Sequence, residues 1–345
     1  MKIVKKILTV VFAVSFGLFC LFFPVEVRNG AGEGLNRCIT VIIPSLYAMM
    51  TASAILLDSG ALSTVGRWIS PVTKGIFGLN GELAAVFFFS LVAGYPVGAK
   101  MIYTLYINGR LPKRMAEILS GLCYGSGTAF IFGCVAPTVE IGRLILLSNI
   151  AAEFLVLLIL SPYFRRNLIE EKSRSIAVNG DILTKSVSSS GRALGEMCLC
   201  VIIFAVFAEM AEYCGLSQIF GCDLYKAVLD VTAINDISAD IAVKSALVSF
   251  GGVCVFFQIS AIFREKLSII PLVIMRSFAA VSSFFICRIL EPYFIGGAVD
   301  VFASGERLYR ENSPVPSVML IIMTGVVVAE MAKIQQKQSV EQLQL

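Results

Sequence analysis

The sequence contains no histidine and one tryptophan, and Asp, Glu, Lys and Arg together make up only 15% of its 345 residues. Histidine is the commonest proton shuttle and metal ligand, so its absence argues against the usual catalytic and metal sites. The ten cysteines include no C-x-x-C pair and several lie inside apolar runs, which disfavours a disulfide framework or a zinc site. No basic patch interleaved with aromatic residues suggests nucleic acid. We therefore expect neither an enzyme nor a protein with a resident cofactor.

Hydrophobic residues, in contrast, make up 57% of the chain, whereas soluble domains contain about 45–50%. An apolar run of roughly 20 residues is long enough to cross a bilayer as a helix. Beyond an N-terminal run from Ile7 to about Val25, such stretches occupy 36–57, 82–106, 118–137, 140–162, 194–214, 237–263, 269–291 and 316–333. The sequence therefore predicts an all-α, multi-pass protein of the cell membrane.

The N-terminal run follows Lys2, Lys5 and Lys6 and has no A-x-A cleavage site. This pattern predicts an uncleaved signal-anchor helix with a cytoplasmic N-terminus. The one strongly polar stretch, 165–193, carries six basic residues and is expected to be a cytoplasmic connecting loop.

The two sides of that loop resemble each other. The segment CITVIIPSLYAMM (38–50) aligns with CLCVIIFAVFAEM (198–210), and SLVAGYPVG (90–98) lies opposite LVSFGGVCV (247–255). The near-constant offset of these matches indicates an internal duplication. We divide the chain into a signal-anchor helix and loop (1–33), a first repeat (34–163), a cytoplasmic polar linker (164–193), a second repeat (194–335) and a polar tail (336–345).

Charge predicts the topology of the first repeat. Arg110, Lys113 and Arg114 follow segment 82–106 and should be cytoplasmic, as should the polar loop. Segment 82–106 would then begin and end inside, as a re-entrant hairpin with its tip at the sequence GYPVG. The alternative is that 82–106 crosses fully and 118–137 forms the hairpin.

A unit with an odd number of crossings must be inverted in its repeat, which is a common design of secondary transporters. We expect each repeat to contain an interfacial helix, a re-entrant hairpin and two transmembrane helices. The amphipathic stretches 62–78 and 216–230 fit the interfacial helices. The second hairpin would be 237–263, with its tip at SFGGV. If 237–263 instead spans the membrane, the positive-inside rule is better obeyed.

Breaks in helices at membrane depth leave backbone groups that need polar partners, and they are tolerated where they line a cavity. The stretch GLCYGSGTAFIFG (121–133) adds small polar residues at a third site beside the two expected hairpins. Asn149 and Glu153 share a face of their span, and Arg276 lies inside another. These three belong equally well to a site or to pairs across the bundle. Lys100 is expected to snorkel or to pair with a carboxylate such as Glu82.

The motif GYPVGAK, followed by GSGTAFIFG, resembles the YlbJ-type sporulation integral membrane proteins of endospore-forming Firmicutes. Their other landmark, an acidic-x-Thr stretch before FGGVCVFFQ, is present as Asp230, Thr232 and Phe250 to Gln258. The resemblance covers about 34–335. It implies the nucleoside-recognition Gate domain, which is similar to the core of concentrative nucleoside transporters. The substrate motifs of those transporters are not recognisable here, so the resemblance implies architecture more than substrate.

We therefore expect a sporulation-associated transporter or permease whose small polar solute binds at mid-membrane between two hairpins. The alternative is a non-transporting membrane component required for spore cortex or coat assembly. The expected substrate-binding residues are Gly94, Tyr95, Pro96, Gly98, Ser126, Gly127, Thr128, Asn149, Glu153, Asp230, Thr232, Gly251, Gly252 and Gln258. A coupling ion such as Na⁺ or H⁺ is compatible with this expectation. Expected partners are the solute, the lipid bilayer, and either further copies of the chain or other sporulation membrane proteins.

Overall fold

The computed structural model describes residues 2–167, 181–216, 218 and 223–295, and all regular structure in these ranges is helical. The predicted span 316–333, the tail 336–345 and the centre of the polar linker lie outside the described residues. The helices are α1 Lys2–Phe22, α2 Pro24–Arg37, α3 Ile43–Asp58, α4 Ala61–Phe77, α5 Gly81–Ala93, α6 Val97–Ile107, α7 Lys113–Leu122, α8 Thr128–Phe130, α9 Val139–Arg166, α10 Asp181–Tyr213, α11 Leu224–Leu229, α12 Ile241–Phe250, α13 Gly252–Phe263 and α14 Ile270–Ile295. π-helical turns join α2 to α3 and follow α8, and a 3₁₀ turn follows α11.

Five described segments are long and apolar enough to cross a membrane, and a sixth is added if the bent pair α4–α5 counts as one span. The five are Pro24–Asp58, Val139–Arg166, Asp181–Tyr213, Ile241–Phe263 and Ile270–Phe294. This confirms the predicted all-α, multi-pass membrane protein. Helix α10 begins at Asp181, so the last part of the expected polar loop is helical.

Helix α2 occupies residues that were expected to form a loop. Its glycines Gly30 and Gly34 lie one turn apart and face α10, where an added Cβ would be 2.9 Å from Val206 Cα and 2.7 Å from Ile202 Cα. Small residues at this spacing let two apolar helices pack backbone to backbone. Antiparallel packing on α10 therefore outweighs the helix-propensity cost of about 1 kcal/mol per glycine.

Helices α5 and α6 form the predicted hairpin. The Arg110 guanidinium, just beyond α6, lies 2.7 Å from the Glu82 carboxylate in the first turn of α5. A continuous helix would separate these positions by about 40 Å. The chain therefore turns back at Gly94–Pro96, and the alternative of a full crossing is wrong. The expected pairing of Lys100 with Glu82 is also wrong, because Glu82 pairs with Arg110.

The second predicted hairpin, 237–263, is wrong, and the spanning alternative holds. Asp240 forms an ion pair with Arg288 near the C-terminal end of α14, whereas Phe263 is followed by the N-terminal end of that helix. Since α14 is about 39 Å long, the two ends of 241–263 lie far apart. Gly251 and Gly252 take φ values of 86° and 83°, so they interrupt the helix without reversing it.

The predicted crossing 118–137 is not one helix. Helix α7 ends at Leu122, residues 123–127 are not helical, and α8 with its π-helical turn completes the segment. Two glycines flanking Ser126 account for the break, because glycine destabilises a helix interior and Gly127 takes a φ of 76° that residues with a side chain rarely adopt. This third break lies beside the tip of the α5–α6 hairpin.

Helix α4 was predicted to be interfacial, and it makes an angle of 91° with α5. Its large apolar side chains Val65, Trp68 and Val72 face outward, whereas the small residues Gly66 and Ser70 face the protein. A helix perpendicular to a membrane-inserted arm, with an outward apolar face, suits the membrane interface.

Candidate functional site

The three helix breaks meet in the interior of the bundle. The Tyr95 hydroxyl, at the tip of the α5–α6 hairpin, donates a hydrogen bond to the Val248 carbonyl in the last turn of α12. The Tyr124 hydroxyl, in the break after α7, donates to the Phe250 carbonyl over 3.3 Å. Carbonyl groups at the end of α12 therefore receive side-chain donors, as backbone at membrane depth requires.

The hairpin tip also touches the third break directly. A Cβ at Gly127 would lie 2.7 Å from Gly94 Cα, so a larger residue there would separate the two segments. Gly94 has φ of 92°, a conformation that residues with a side chain rarely adopt. Gly98 packs its backbone against the Cys123 carbonyl. These glycines shape the junction and offer no side chain to a ligand.

A small pocket of about 30 Å³ lies at this junction. It is lined by Val41, Ile42, Ser45, Leu46, Tyr95, Pro96, Ser126, Phe130, Met197, Val201, Asp230, Val231, Thr232, Val255 and Gln258. The volume holds no more than a few water molecules, whereas small-molecule sites usually have about 300–1,000 Å³. The pocket is therefore closed in this structure.

Six of the residues predicted from sequence line the pocket, namely Tyr95, Pro96, Ser126, Asp230, Thr232 and Gln258. The predicted Gly94, Gly98, Gly127, Thr128, Gly251 and Gly252 form or flank the breaks, and Asn149 and Glu153 do not line the pocket. The sequence interpretation missed Ser45, which lies within the apolar run 36–57. A polar residue directly after Pro44 in an apolar span was the available signal.

Asp230 is the acidic residue of the pocket and is only 2% exposed. Its carboxylate accepts hydrogen bonds from the Thr232 backbone N–H over 3.0 Å and from the Thr232 hydroxyl over 2.7 Å. No described basic side chain forms an ion pair with it. In sequence, Asp230 lies between the spanning segments Asp181–Tyr213 and Ile241–Phe263. Burial raises the pKa of its carboxyl, whereas the hydrogen bonds from Thr232 lower that pKa.

A buried ion pair lies next to the pocket. The Arg276 guanidinium on α14 binds both carboxylate oxygens of Glu153 on α9, with the Nη2–Oε2 distance at 2.8 Å. It also donates to the Tyr124 carbonyl over 3.2 Å and lies 4.9 Å from the centre of the Tyr124 ring. Arg276 is 0% and Glu153 3% exposed, so neither charge reaches solvent. Of the two interpretations left open by the sequence, pairing across the bundle holds.

Asn149 takes part in a separate polar chain. Its amide donates to the Ile145 carbonyl over 2.8 Å and to the Ser245 hydroxyl over 3.3 Å. Ser245 in turn lies 2.8 Å from the Ser283 hydroxyl. These contacts tie α9, α12 and α14 together, so Asn149 supports the walls of the junction. Among the described residues, no three His, Cys, Asp or Glu side chains are grouped so that they could hold a metal ion.

Aromatic contacts connect the Glu153–Arg276 ion pair to the hairpin tip. The rings of Tyr95 and Tyr124 lie 5.0 Å apart, and Tyr95 also packs edge-on against Phe130. Tyr124 therefore contacts the hairpin tip, the α12–α13 break and Arg276. A movement of the hairpin would alter the surroundings of a buried charge.

Comparison with known proteins gives one informative match. The sporulation integral membrane protein YlbJ of Bacillus subtilis (strain 168) is 30% identical to this chain over 136 residues. The match covers 38% of this chain and 33% of YlbJ, so it spans about a third of the relative. No family model and no solved structure matches the chain. The match to YlbJ confirms the resemblance to the YlbJ-type sporulation integral membrane proteins that the sequence motifs indicated.

Proposed function

We propose that the protein is a transporter or permease that moves a small polar solute across a membrane during sporulation. The observation that carries the proposal is the polar pocket at the junction of three helix breaks, deep in an apolar bundle. Broken helices and a buried carboxylate at this depth are costly, and proteins retain them mainly where they bind or conduct a solute. The name of the relative YlbJ supports the sporulation context.

In this proposal the closed pocket is one state of a transport cycle. The α5–α6 hairpin reaches the pocket with its tip only, while its two ends meet at the Glu82–Arg110 ion pair. Tyr95 and Tyr124 hold the tip region to the end of α12 through one hydrogen bond each. Moving the tip breaks these hydrogen bonds and the backbone packing of Gly94 on Gly127, and it opens the pocket toward one face, as expected for alternating access.

The inverted repeat and the Gate-type core belong to the same proposal. Cys38 and Cys198 are equivalent positions in the two sequence repeats, and the Cys38 thiol lies 3.5 Å from the Cys198 carbonyl. Their helices run antiparallel, as an internal two-fold axis in the membrane plane requires. Segment 81–107 turns back on itself whereas 241–263 does not, and this difference counts against a strict repeat. We propose a cytoplasmic N-terminus and cytoplasmic ends for the basic segments 110–114 and 264–266.

The proposal includes no catalytic step and no resident cofactor. Coupling to H⁺ fits best with Asp230, whose buried side chain is the carboxyl group of the pocket. The proposed partners are the solute and the bilayer, with further copies of the chain or other sporulation membrane proteins.

A second candidate is a non-transporting membrane component required for spore cortex or coat assembly. The observation that favours it is the pocket volume of about 30 Å³, which admits no solute without a conformational change. On this alternative the fold is retained and the junction is a structural core.

Uptake by the purified chain in proteoliposomes decides between the two. The assay uses radiolabelled nucleosides, nucleobases and small organic acids with wild type, Gly94→Leu and Gly17→Leu. A Leu side chain at position 94 meets Leu46 beside the pocket, whereas position 17 on α1 has open space around it. We expect uptake of one solute class by wild type and Gly17→Leu and at least a tenfold loss in Gly94→Leu. Absence of uptake, or equal uptake by all three proteins, would count against transport.

A further inference from the structure

We infer that the protein carries a second site, a basic crevice that binds a phosphate ester group. The crevice is a cavity of about 700 Å³ between α6, the first turns of α10 and the end of α13. Its walls carry four basic side chains, Lys100, Lys185, Arg192 and Arg264. It shares none of its lining residues with the small pocket at the helix breaks.

The crevice carries an excess of positive charge that nearby acidic side chains compensate in part. Glu196 is the acidic residue in its walls, and Asp58 lies near Lys100. Lys185 forms a long, exposed ion pair with Asp181 at 3.6 Å. The other three basic side chains form no ion pair with any described residue.

Lys100 gives the clearest sign of a missing ligand. Its ammonium nitrogen is buried and makes no hydrogen bond within the described part of the chain. A buried donor without an acceptor costs about 1–3 kcal/mol, and more when it is charged. The Lys100 ammonium has almost no exposed surface in this conformation, so its side chain must rotate into the crevice before an anion there can supply the acceptor that it lacks.

The chemistry of the walls favours phosphate over a simple halide or a single carboxylate. Hydroxyl groups of Thr184 and Ser188 lie among the basic side chains, whereas those of Thr104 and Ser189 already donate to backbone carbonyls. Several cations together with hydroxyl donors match the charge and the multiple acceptor oxygens of a phosphate group. The volume of about 700 Å³ leaves space for the remainder of an ester.

The position of the crevice suggests where such an ester comes from. Arg192 directly precedes Ala193, where the apolar part of α10 begins, so the Arg192 end of the crevice lies at the depth of lipid head groups. Basic pockets between transmembrane helices at this depth bind anionic phospholipids. A soluble phosphate ester has the same binding chemistry, and the experiment must separate the two sources.

The test uses the full chain in neutral detergent and measures thermal stability and lipid retention by native mass spectrometry. The probes are phosphatidylglycerol, phosphatidylcholine and sn-glycerol 3-phosphate. The variants are Lys100→Gln/Arg192→Gln and, as a matched control with the same charge change, Lys113→Gln/Arg114→Gln on the exposed start of α7. Arg192→Gln alone provides a milder variant should the double substitution reduce folding.

We expect phosphatidylglycerol to stabilise wild type and the control, with an apparent affinity about tenfold to thirtyfold weaker in the crevice variant. Stabilisation by glycerol 3-phosphate alone, again lost in the crevice variant, supports the site with a soluble ester as ligand. The inference is overturned when neither phosphate compound acts more strongly than phosphatidylcholine. It is equally overturned when the crevice variants, including Arg192→Gln, respond like the control.

Discussion

At the scale of single residues, the Glu153–Arg276 pair is the most consequential interaction in the described bundle. Both side chains are buried, and the guanidinium binds the carboxylate through two parallel contacts. Such a pair adds little net stability over an apolar pair. Removing one partner leaves an unpaired buried charge and lowers the free energy of unfolding by about 3–5 kcal/mol. The pair therefore fixes how α9 and α14 pack and resists substitution at either position.

We predict that Glu153→Gln strongly lowers the thermal unfolding temperature of the purified protein, because Arg276 stays charged and loses its partner. The matched control is Glu291→Gln, which removes an exposed partner of Arg288 worth at most about 1 kcal/mol. Differential scanning fluorimetry in detergent measures both.

The double variant Glu153→Leu/Arg276→Met separates charge burial from packing. It removes both charges, so it should recover most of the stability that Glu153→Gln loses. A double variant as unstable as the single one would show that the pair is not stabilised by mutual neutralisation.

Asp230 gives a prediction on pH. Burial raises the pKa of its carboxyl above the value near 3.9 of the unfolded chain, so the folded protein takes up a proton there first. The resulting stabilisation is complete below about pH 4 and is lost as the pH rises through the raised pKa. Part of the decrease in unfolding temperature between about pH 4 and pH 8 should come from Asp230 and should therefore be absent in Asp230→Asn.

Glu140→Gln is the control for this pH series, because Glu140 is exposed at the start of α9. It should leave the pH dependence of the unfolding temperature as in wild type. A pH profile of Asp230→Asn that matches wild type would contradict the raised pKa and weaken the case for proton coupling at this pocket.

At the scale of elements, charge at the segment ends predicted the fold of the chain better than glycine did. Arg110 at one end of 82–106 correctly indicated a hairpin, and the pairing of Arg110 with Glu82 shows why both ends lie together. The inverted repeat led to a second hairpin with its tip at Gly251–Gly252, but glycine permits a break without setting the direction in which the chain leaves it.

Helix α2 is an element that the sequence did not predict. Three glycines and several polar residues between 26 and 36 are typical of a loop, and the sequence interpretation treated them so. The helix forms because Gly30 and Gly34 contact Val206 and Ile202 on α10, which are 176 and 168 residues away in sequence. A long-range contact of this kind has no local signature beyond the spacing of the two glycines.

The different paths of the two broken segments give a topological prediction. Cysteines introduced at Gly75 and Asn108, just before and just after the α5–α6 hairpin, should react with a membrane-impermeant maleimide from the same side. Cysteines at Ser238 and Lys266, which flank 241–263, should react from opposite sides. All four positions are exposed, so labelling reports sidedness.

The labelling uses a cysteine-free background and sealed vesicles of both orientations. Positions 108 and 266 should be labelled only from the cytoplasmic side if the basic ends face the cytoplasm. Reaction of positions 238 and 266 from one side would restore the second hairpin, and reaction of 75 and 108 from opposite sides would remove the first.

At the scale of the whole molecule, the sequence identified the polar residues of the junction but not whether the pocket between them is open or closed. Six predicted residues line the pocket because they belong to broken segments, which the sequence shows as glycine, proline and small polar residues. Closure depends on how far Leu46 and Tyr95 reach into the same space, and this is set by the packing of three separate segments. The sequence left pairing across the bundle open for Glu153 and Arg276 but did not identify them as each other's partners, since each residue shows only its own charge.

If the pocket opens during a transport cycle, the Tyr95 hydrogen bond to the Val248 carbonyl is one of the contacts that must break. We predict that Tyr95→Phe raises the fraction of open molecules about fivefold, since one neutral hydrogen bond contributes about 1 kcal/mol. Ser126→Cys in a cysteine-free background reports opening, because Ser126 lines the pocket and is only 6% exposed.

The rate of its reaction with a small maleimide should therefore rise about fivefold in Tyr95→Phe. Tyr106→Phe, at the far end of α6 from the tip, is the control and should leave the rate unchanged. Equal rates in both variants would show that the Tyr95 contact does not close the pocket.

A solute that is transported should slow the reaction in wild type by occupying the pocket, which links the labelling rate to the uptake assay. The junction is then a gate because its closure depends on the hairpin tip, whereas a structural core would remain closed to the reagent in every variant.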